Sequence, residues 1–187
     1  MSKRPLRPAT ALFPVPTVMV SCGDEKPNII TIAWAGILCS DPPTLSVAVR
    51  PGRHSHGLIS ASREYVVNIP SQKLLKIVDY CGVVSGRDVD KFAATGLTPL
   101  PASEVKAPLI AECPVNIECK VISVVSLGSH DLFIGQVVAV HADEEVLDAL
   151  GQIDVGKAQP FAYAHQQYWS LGEHLETHGF SVRKIQV

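Results

Sequence analysis

An alternating segment, residues 115–125, and the strand predicted to return beside it, residues 132–141, constrain the fold more than any other feature of the chain. In the first segment the apolar side chains share one face of an extended chain, since successive residues of a strand point to opposite sides of a sheet. These residues are Val115, Ile117, Cys119, Val121 and Val125. Residues 127–131, Leu-Gly-Ser-His-Asp, have the small and polar composition of a turn. The sequence therefore predicts a long antiparallel hairpin.

Shorter strands and helices are predicted around this hairpin. The predicted strands are residues 14–20, 28–35, 44–50 and 65–69, the first two forming a hairpin through the polar turn 23–27. The predicted helices are residues 56–61 capped by Ser55, an amphipathic helix between Ser71 and Gly82, residues 89–94 between Asp88 and Gly96, and residues 144–150. Strands outnumber helices, and the alternation of a doubly wound sheet is absent. The expected fold class is mainly β, an antiparallel barrel with short helical (α+β) insertions.

Composition narrows the class of protein further. A chain of 187 residues with 47% apolar and 18% charged residues suits one globular domain over residues 1–187, in which residues 1–13 form an N-terminal arm. A net charge of −2 gives no field that recruits nucleic acid, and no apolar run is long enough to span a membrane. The basic, proline-rich N-terminus lacks the apolar core of a signal peptide, so we expect a cytoplasmic protein. Five dispersed cysteines without a C-x-x-C pair argue against disulfides and metal sites.

The densest polar cluster is a basic turn at residues 50–56. It combines Arg50, Arg53, His54, Ser55 and His56 at the start of a predicted helix. Arginine offers charge-assisted donors, and a helix start adds backbone N–H groups and a favourable dipole, so the turn could hold a phosphate. An exposed basic turn in which Ser55 only caps the helix is the equally open alternative.

For the other candidate residues, side-chain chemistry alone gives weaker evidence of a functional role. Trp34, followed by Ala35-Gly36, could place a flat heterocycle beside an open backbone, but a buried core strand is the favoured interpretation. A solvated side chain is the default for Lys91 in a short helix and for His130 at a hairpin tip. Neither a dinucleotide fingerprint, nor a phosphate loop, nor a nucleophile elbow occurs in the sequence. An enzyme of this kind would take its reactivity from a cofactor.

Several stretches, taken in order, resemble the flavin reductase-like, FMN-binding split-barrel family, and in particular its flavoredoxin branch. They are PVPTVMVSCG, NIITIAWAGILCSDPP, RPGRHSHGLI, REYVVNIPS, SGRDVDKFAATGLTP, GSHDLFIGQVVAV and YWSLGEHLETHGFSV. The resemblance implies a six-stranded antiparallel Greek-key split barrel with short helices. It also implies a homodimer with one non-covalent FMN per subunit near the interface.

The resemblance also implies the cofactor-binding residues. By analogy the flavin and ribityl chain are surrounded by Asn28, Thr31, Ala33, Trp34, Cys39 and Ser40, and the phosphate is held by the turn that contains Arg50, His54 and Ser55. Lys91 and His130 match positions that reach the cofactor, and an aromatic residue, Phe161 or Tyr163, closes the pocket. No protein group is expected to act as a catalytic residue, and no metal is expected.

The implied activity is that of an FMN-dependent oxidoreductase. Electrons would come from NADH, NADPH or a protein donor, and Lys91 and His130 would give the flavin positive charge or hydrogen bonds. Three alternatives stay open: a flavoredoxin-type electron carrier with a redox partner protein and no nicotinamide activity, a ferric or other small-molecule reductase, and a non-catalytic barrel that binds a phosphorylated or heme-like ligand. The sequence does not decide the donor, the acceptor, or whether the flavin stays bound.

Overall fold

The computed structural model describes residues 2–182 as a strand-rich chain with short helices. The strands are β1 (Val15–Pro16), β2 (Val18–Cys22), β3 (Asn28–Ile32), β4 (Ala35–Ser40), β5 (Pro43–Val49), β6 (Glu64–Ile69), β7 (Pro99–Leu100), β8 (Leu109–Ile110), β9 (Val115–Ser126), β10 (Asp131–Ala142), β11 (Phe161–Ala164) and β12 (Gln167–Ser170). The α-helices are α1 (His54–Ser62), α2 (Leu75–Val83), α3 (Lys91–Thr95) and α4 (Val155–Ala158), and short 3-10 turns cover Gln72–Leu74, Glu144–Val146 and Phe180–Val182.

The main sheet is antiparallel throughout and has the strand order β3-β2-β6-β9-β10-β5-β4. The expected hairpin of β2 and β3 pairs Val18 with Ile32 and Cys22 with Asn28. The expected long hairpin of β9 and β10 is also present, with two register shifts along it. This arrangement confirms the mainly β class, although within residues 2–182 the main sheet has seven strands instead of six, because residues 28–40 divide into β3 and β4.

The main core fills the inside of the curved sheet. Apolar side chains from both halves of the sheet and from α1 meet there, among them Val20, Ile30, Ile32, Leu45, Val47, Ile59, Tyr65 and Phe133. Burying side chains of this size is the dominant stabilising term in such a barrel. β3 and β5 both contribute to this core although they are not neighbours in the sheet. The barrel is therefore split between these two strands, and the Ala48 N–H, which bonds the Trp34 carbonyl at 2.8 Å, extends the pairing of β4 with β5 beside the split.

A second core lies on the outer face of β2 and β3. There α2, α3 and β11 pack through Met19, Ile29, Val78, Phe92 and Phe161. Thr31 adds a polar contact to this face, since its hydroxyl donates to the Val78 carbonyl at 2.5 Å. This packing brings the end of α2 and the start of α3 beside β3, close to the split.

Several local predictions are corrected by the structure. Ser55 is not the cap of α1, because the helix begins at His54, two residues before its predicted start, and Arg53 is the N-cap. Likewise α3 is capped by Asp90, not Asp88, with the Ala93 N–H 3.1 Å from its carboxylate. Gly96 ends this helix in the left-handed region at φ 71°, as predicted.

Outside the helices, residues 144–150 form only a single 3-10 turn, and β11 and β12 occupy a tail for which no strand was predicted. No helix within residues 2–182 is long and apolar enough to cross a membrane.

The predicted alternation of β9 holds only over its first half. Val125 is 40% exposed, because the register shifts and the hairpin extends beyond the core. Glu118 is fully buried, which the apolar pattern did not predict. Burial alone raises the pKa of this carboxyl, but hydrogen bonds from the Ser103 and Glu104 backbone and from His141 lower it to about 2. The buried carboxylate thereby holds the loop after β7 against β9.

Candidate functional site

A groove made of two adjoining cavities runs along β3 and into the split. The first cavity, the basic pocket, has a volume of about 220 Å³ and is lined by residues that include Asn28, Arg53, His54, Ser55, Arg87 and Lys91. The second, the split pocket, has a volume of about 240 Å³ and is lined by residues that include Thr31, Ala33, Trp34, Ala48, Arg50 and His130. The two cavities meet at Ile30 and Arg53.

The start of α1 forms one wall of the basic pocket. Arg53, the N-cap, is extended, and its side chain makes no capping hydrogen bond. The start of this nine-residue helix therefore lines the pocket, through His54 and Ser55, without a side-chain cap. Ser55 lies in the first turn, is 1% exposed, and accepts a hydrogen bond from the Asn28 Nδ2 at 2.7 Å. This bond ties α1 to the start of β3.

Lys91 lies beneath this pocket and is not the solvated lysine that its sequence context alone suggested. Its side chain is 3% exposed, and its Nζ donates to the Ile29 and Cys81 carbonyls at 2.7 Å each. Burial lowers the pKa of the ammonium. Since an ammonium has three donors, one N–H remains for a ligand in the basic pocket.

The segment after α2 adds a cation that the sequence analysis did not single out. The Arg87 Nη1 donates to the Gly52 carbonyl at 3.1 Å, and the Arg87 N–H donates to the Ser85 Oγ at 3.2 Å. A Cβ at Gly86 would overlap the Asn28 side chain, so only glycine lets this loop approach β3 so closely. A Ser-Gly-Arg sequence directly after a helix end was the signal that could have indicated this loop.

The split pocket is more open than the basic pocket. Trp34 is 40% exposed at one side of this pocket, and His130 lines it from the hairpin tip. Arg50, which follows β5, lines this pocket and not the basic pocket, so the structure does not place it with the residues expected to hold the phosphate. The Arg50 Nε donates to the His130 Nε2 at 3.4 Å, and Ser129 Oγ lies 2.9 Å from the His130 Nδ1. Burial, followed by the charge of Arg50, lowers the pKa of His130. His130 is therefore neutral near pH 7 and offers one donor and one acceptor.

A hydrogen bond between His56 and Asp131 connects the two ends of the groove. His56, in the first turn of α1, lies 2.8 Å from Asp131, which follows His130 in the hairpin. The hydrogen bond from the Ser126 Oγ, followed by the bond to His56, lowers the pKa of Asp131. The ring of His56 also packs edge-on against Phe133, at 5.1 Å between ring centroids. His56 thus positions the hairpin tip relative to α1.

Most of the predicted site residues come together in the groove, but four do not. Tyr163 lies on the other side of Trp34, at 6.3 Å between ring centroids, in a third cavity that we call the aromatic pocket. Phe161 is buried in the outer core. Cys39 and Ser40 are exposed on β4, an edge strand of the main sheet, and do not line the groove.

The groove fits a phosphorylated planar molecule. Among the described residues that line the basic pocket there is no carboxylate, whereas Arg53, Arg87 and Lys91 supply positive charge beside an uncapped helix start. This combination suits a phosphate group. The split pocket continues from it between two strands and ends at the Trp34 ring, which suits a flat heterocycle.

The fold and the groove together define the class of this protein. It is an antiparallel barrel with a groove suited to a ligand between two strands, beside a helix start that has no side-chain cap. The chain belongs to the flavin reductase like domain family, whose sequence pattern it matches over residues 10–172. This match confirms the family resemblance inferred from the ordered sequence stretches.

Solved structures and sequence relatives agree with this family. Flavoredoxin of Desulfovibrio vulgaris (Miyazaki F) is 35% identical, with a TM-score of 0.92 over 97% of this chain and 100% of that one. An FMN-binding protein from Thermus thermophilus, solved with bound cyclohexenone, is 26% identical, with a TM-score of 0.79 over 95% and 97%. An uncharacterized protein of Archaeoglobus fulgidus is 39% identical over 133 residues, 71% of this chain and 75% of the relative.

Proposed function

We propose that this chain is an FMN-dependent oxidoreductase that takes electrons from NADH, NADPH or a protein donor and passes them to an acceptor. The observation that carries the proposal is the uncapped start of α1, which faces a pocket with three cations and no lining carboxylate within the described residues. The similarity to a flavoredoxin and to an FMN-binding protein supports FMN as the ligand of this pocket.

The basic pocket would hold the FMN phosphate. The first N–H groups of α1, the guanidinium groups of Arg53 and Arg87, and the remaining donor of Lys91 all favour an anion there. His54 and Ser55 place the helix start against the pocket. Because Asn28 and Lys91 are already fixed by hydrogen bonds to neighbouring elements, little reorganisation is needed on binding.

The split pocket would hold the flavin ring. When bound, FMN supplies the redox chemistry. Ala33, Trp34 and Ala48 line this pocket together with Thr31, whose side chain is bonded to Val78 on the outer face of β3. Arg50 and His130 offer a positive charge and hydrogen bonds at the same end, which favours added negative charge. The Trp34 ring limits access of water from one side.

We further propose that the chain forms a homodimer. Large apolar side chains are exposed on edge strand β4 and on the distal half of the long hairpin, both near the split pocket: Ile37 (74%), Leu38 (51%), Ile122 (56%) and Leu127 (60%). Exposed large apolar side chains concentrated on an edge strand and a projecting hairpin are typical of an interface. Sedimentation analysis of the purified chain tests this, since a monomer at micromolar concentration contradicts it. The cytoplasmic location stays a prediction from the N-terminal sequence.

Binding is tested first, with FMN and riboflavin as matched ligands. The chain should bind FMN with a shift of its visible absorbance and should bind riboflavin at least about tenfold more weakly, because riboflavin lacks the phosphate. Equal affinities for the two ligands would contradict the phosphate assignment. A chain that binds neither ligand would contradict the proposed function as a whole.

Electron transfer is then measured by anaerobic stopped-flow reduction of the FMN-loaded chain. Fast bleaching by NADH or NADPH supports an oxidoreductase with its own nicotinamide activity. Slow bleaching by both, with fast reduction by a redox protein, supports the electron carrier instead. The cyclohexenone bound in the Thermus relative makes a small cyclic carbonyl compound the first acceptor to assay.

A further inference from the structure

The basic pocket lies between two walls that come from different parts of the chain. One wall is the turn that leads into α1, residues 52–55. The other wall is the segment that follows α2, residues 84–87. A phosphate held in this pocket therefore lies between the turn and the segment.

The two walls are joined at two depths. At the bottom of the pocket, the buried Asn28 donates from its Nδ2 to the Ser55 Oγ at 2.7 Å, and the backbone of Gly86 packs against the Asn28 side chain. At the surface, the Arg87 Nη1 donates to the Gly52 carbonyl at 3.1 Å, and both of these residues are exposed. The Arg87–Gly52 bridge thus spans the outer edge of the pocket.

The backbone around Arg87 is held in place, so the part of the bridge that can move is the arginine side chain. The Arg87 N–H donates to the Ser85 Oγ at 3.2 Å, and the N–H groups of Asp88 and Val89 donate to the Ser85 carbonyl at 3.2 and 3.3 Å. The guanidinium itself is exposed and has further donors besides the one that bonds Gly52. An exposed bond of this kind contributes little free energy, so the bridge can open without unfolding either wall.

Arg87 also lies where the basic pocket meets another cavity, the outer cavity, which has a volume of about 480 Å³. The two cavities share four lining residues: Asn28, His54, Gly86 and Arg87. The carboxylates of Glu25, Asp88 and Asp90 line the outer cavity, beside one further cation, Lys26. Among the described residues that line the basic pocket there is no carboxylate. A phosphate is therefore favoured on the inner side of Arg87 and disfavoured on its outer side.

We propose that the Arg87–Gly52 bridge is a gate over the phosphate, which opens to admit or release the ligand and closes between these events. This role rests on the proposed binding of FMN and concerns whether the flavin is retained or exchanged. Lys91 and Ser55, fixed at the bottom of the pocket, determine how tightly the phosphate is held, whereas the gate determines how fast it enters and leaves. Because a closed gate blocks both directions, it slows association and dissociation by the same factor, about two- to tenfold for one hydrogen bond.

The test measures both rates on the full-length chain. Stopped-flow mixing of FMN with the flavin-free chain gives the association rate, and rapid dilution of the complex gives the dissociation rate. Arg87→Met removes the bridge and keeps an aliphatic stem. In about 0.5 M sodium chloride, which screens the lost charge, both rates should rise together by about two- to tenfold, with less than about a twofold change in affinity.

Arg63→Met is the matched control. Arg63 is also exposed, and its guanidinium also donates to a backbone carbonyl, that of Val121 at 3.2 Å, but it lines neither the basic pocket nor the outer cavity. This change should alter neither rate. Thermal unfolding of both variants establishes that they are folded.

Two results would overturn the gate. One is faster dissociation from Arg87→Met with unchanged or slower association, since this would make Arg87 only a ligand of the phosphate. The other is a folded Arg87→Met chain in which neither rate changes. FMN binding by the unaltered chain is recorded in the same experiments. A chain that binds no FMN refutes the proposed function itself, whereas a chain that binds FMN and gives either of these two results refutes the gate alone.

Discussion

The two ends of the groove are built in different ways. At the basic pocket Lys91 and Ser55 are buried and already bonded to neighbouring elements, Lys91 to two carbonyl groups and Ser55 to Asn28, while Arg53 and Arg87 are exposed. At the split pocket the polar side chains have fewer fixed contacts: Arg50 is exposed, His130 is half-buried, and 3.4 Å separates the Arg50 Nε from the His130 Nε2. The first end is fixed before any ligand arrives, whereas the second can still adjust.

Because of this difference, we expect the two ends of the groove to contribute differently to ligand binding. Charge-assisted hydrogen bonds are strong where water is excluded and weak where it is not, so the basic pocket should account for most of the binding free energy. The split pocket should instead control the charge and access of the bound ring. Changes at the buried end should consequently have larger effects than changes at the open end, and each prediction below tests one step of that order.

Replacing Lys91 by methionine should have the largest effect. The change leaves the Ile29 and Cys81 carbonyls without a donor in a buried position, and it removes the positive charge under the basic pocket. We expect the free energy of unfolding to fall by about 2 kcal/mol or more and the FMN affinity to fall about a hundredfold. Urea unfolding and FMN titration measure the two effects. Lys76→Met, at an exposed position of α2, is the control and should change neither.

A Lys91→Met variant with unchanged stability would show that the ammonium does not hold β3 and α2 together. Unchanged FMN affinity in a stable variant would remove Lys91 from the site.

Ser55→Ala should have the next largest effect, and its effect on ligand binding should depend on the phosphate. The loss of the hydroxyl leaves Asn28 without its partner and loosens the start of α1. We expect the FMN affinity to fall about tenfold while the riboflavin affinity stays the same, and stability to fall by about 1 kcal/mol. Ser60→Ala, at an exposed position of the same helix, controls for the loss of a hydroxyl. Equal weakening of both ligands would place Ser55 away from the phosphate.

The sequence predicts much of this fold, because the information is local. Alternation in residues 115–125 and the turn at residues 127–131 are enough for the long hairpin, and the turn at residues 23–27 is enough for the hairpin of β2 and β3. The short β11 and β12 were missed, because four-residue strands of mixed polarity carry little periodic signal. Glu118 was missed because its partners come from a distant loop.

The site is predictable only where its residues are adjacent in sequence. The basic turn at residues 50–56 gave its own chemical reason for binding a phosphate. Lys91 and His130 gained a role only through the family, because nothing local shows that one is buried under the turn and the other meets Arg50. Arg87 contacts the turn through the carbonyl of Gly52, which lies 35 positions earlier in the sequence, and no local sequence pattern indicates this contact.

His56→Phe should have a smaller effect and concerns the connection between the two ends. Phenylalanine keeps a ring against Phe133 but loses the bond to Asp131. We expect faster hydrogen exchange at residues 127–131, with an FMN affinity that changes by less than about threefold. Asp131→Asn should give the same exchange pattern, because it weakens the same pair from the other side. Unchanged exchange in both variants would mean that the hairpin tip is held by other contacts.

Arg50→Ala should have the smallest effect on the FMN affinity, but it should clearly change the pKa of His130. Arg50 is exposed, so we expect the FMN affinity to change by about twofold at most. After burial, the charge of Arg50 is what lowers the pKa of His130, so its removal should raise that pKa toward the ordinary value. NMR titration of the His130 ring measures the change.

The lowered pKa of His130 also determines how the stability of the folded chain depends on pH. Because the pKa of His130 is lower in the folded chain than in the unfolded chain, the unfolded chain binds more protons between the two values. Stability therefore decreases as the pH falls from about 6.5 through the folded pKa. In Arg50→Ala this decrease should be smaller, since the two pKa values lie closer together. An unchanged titration of His130 would show that the open end is already fully screened by water and that the contrast with the buried end is even larger.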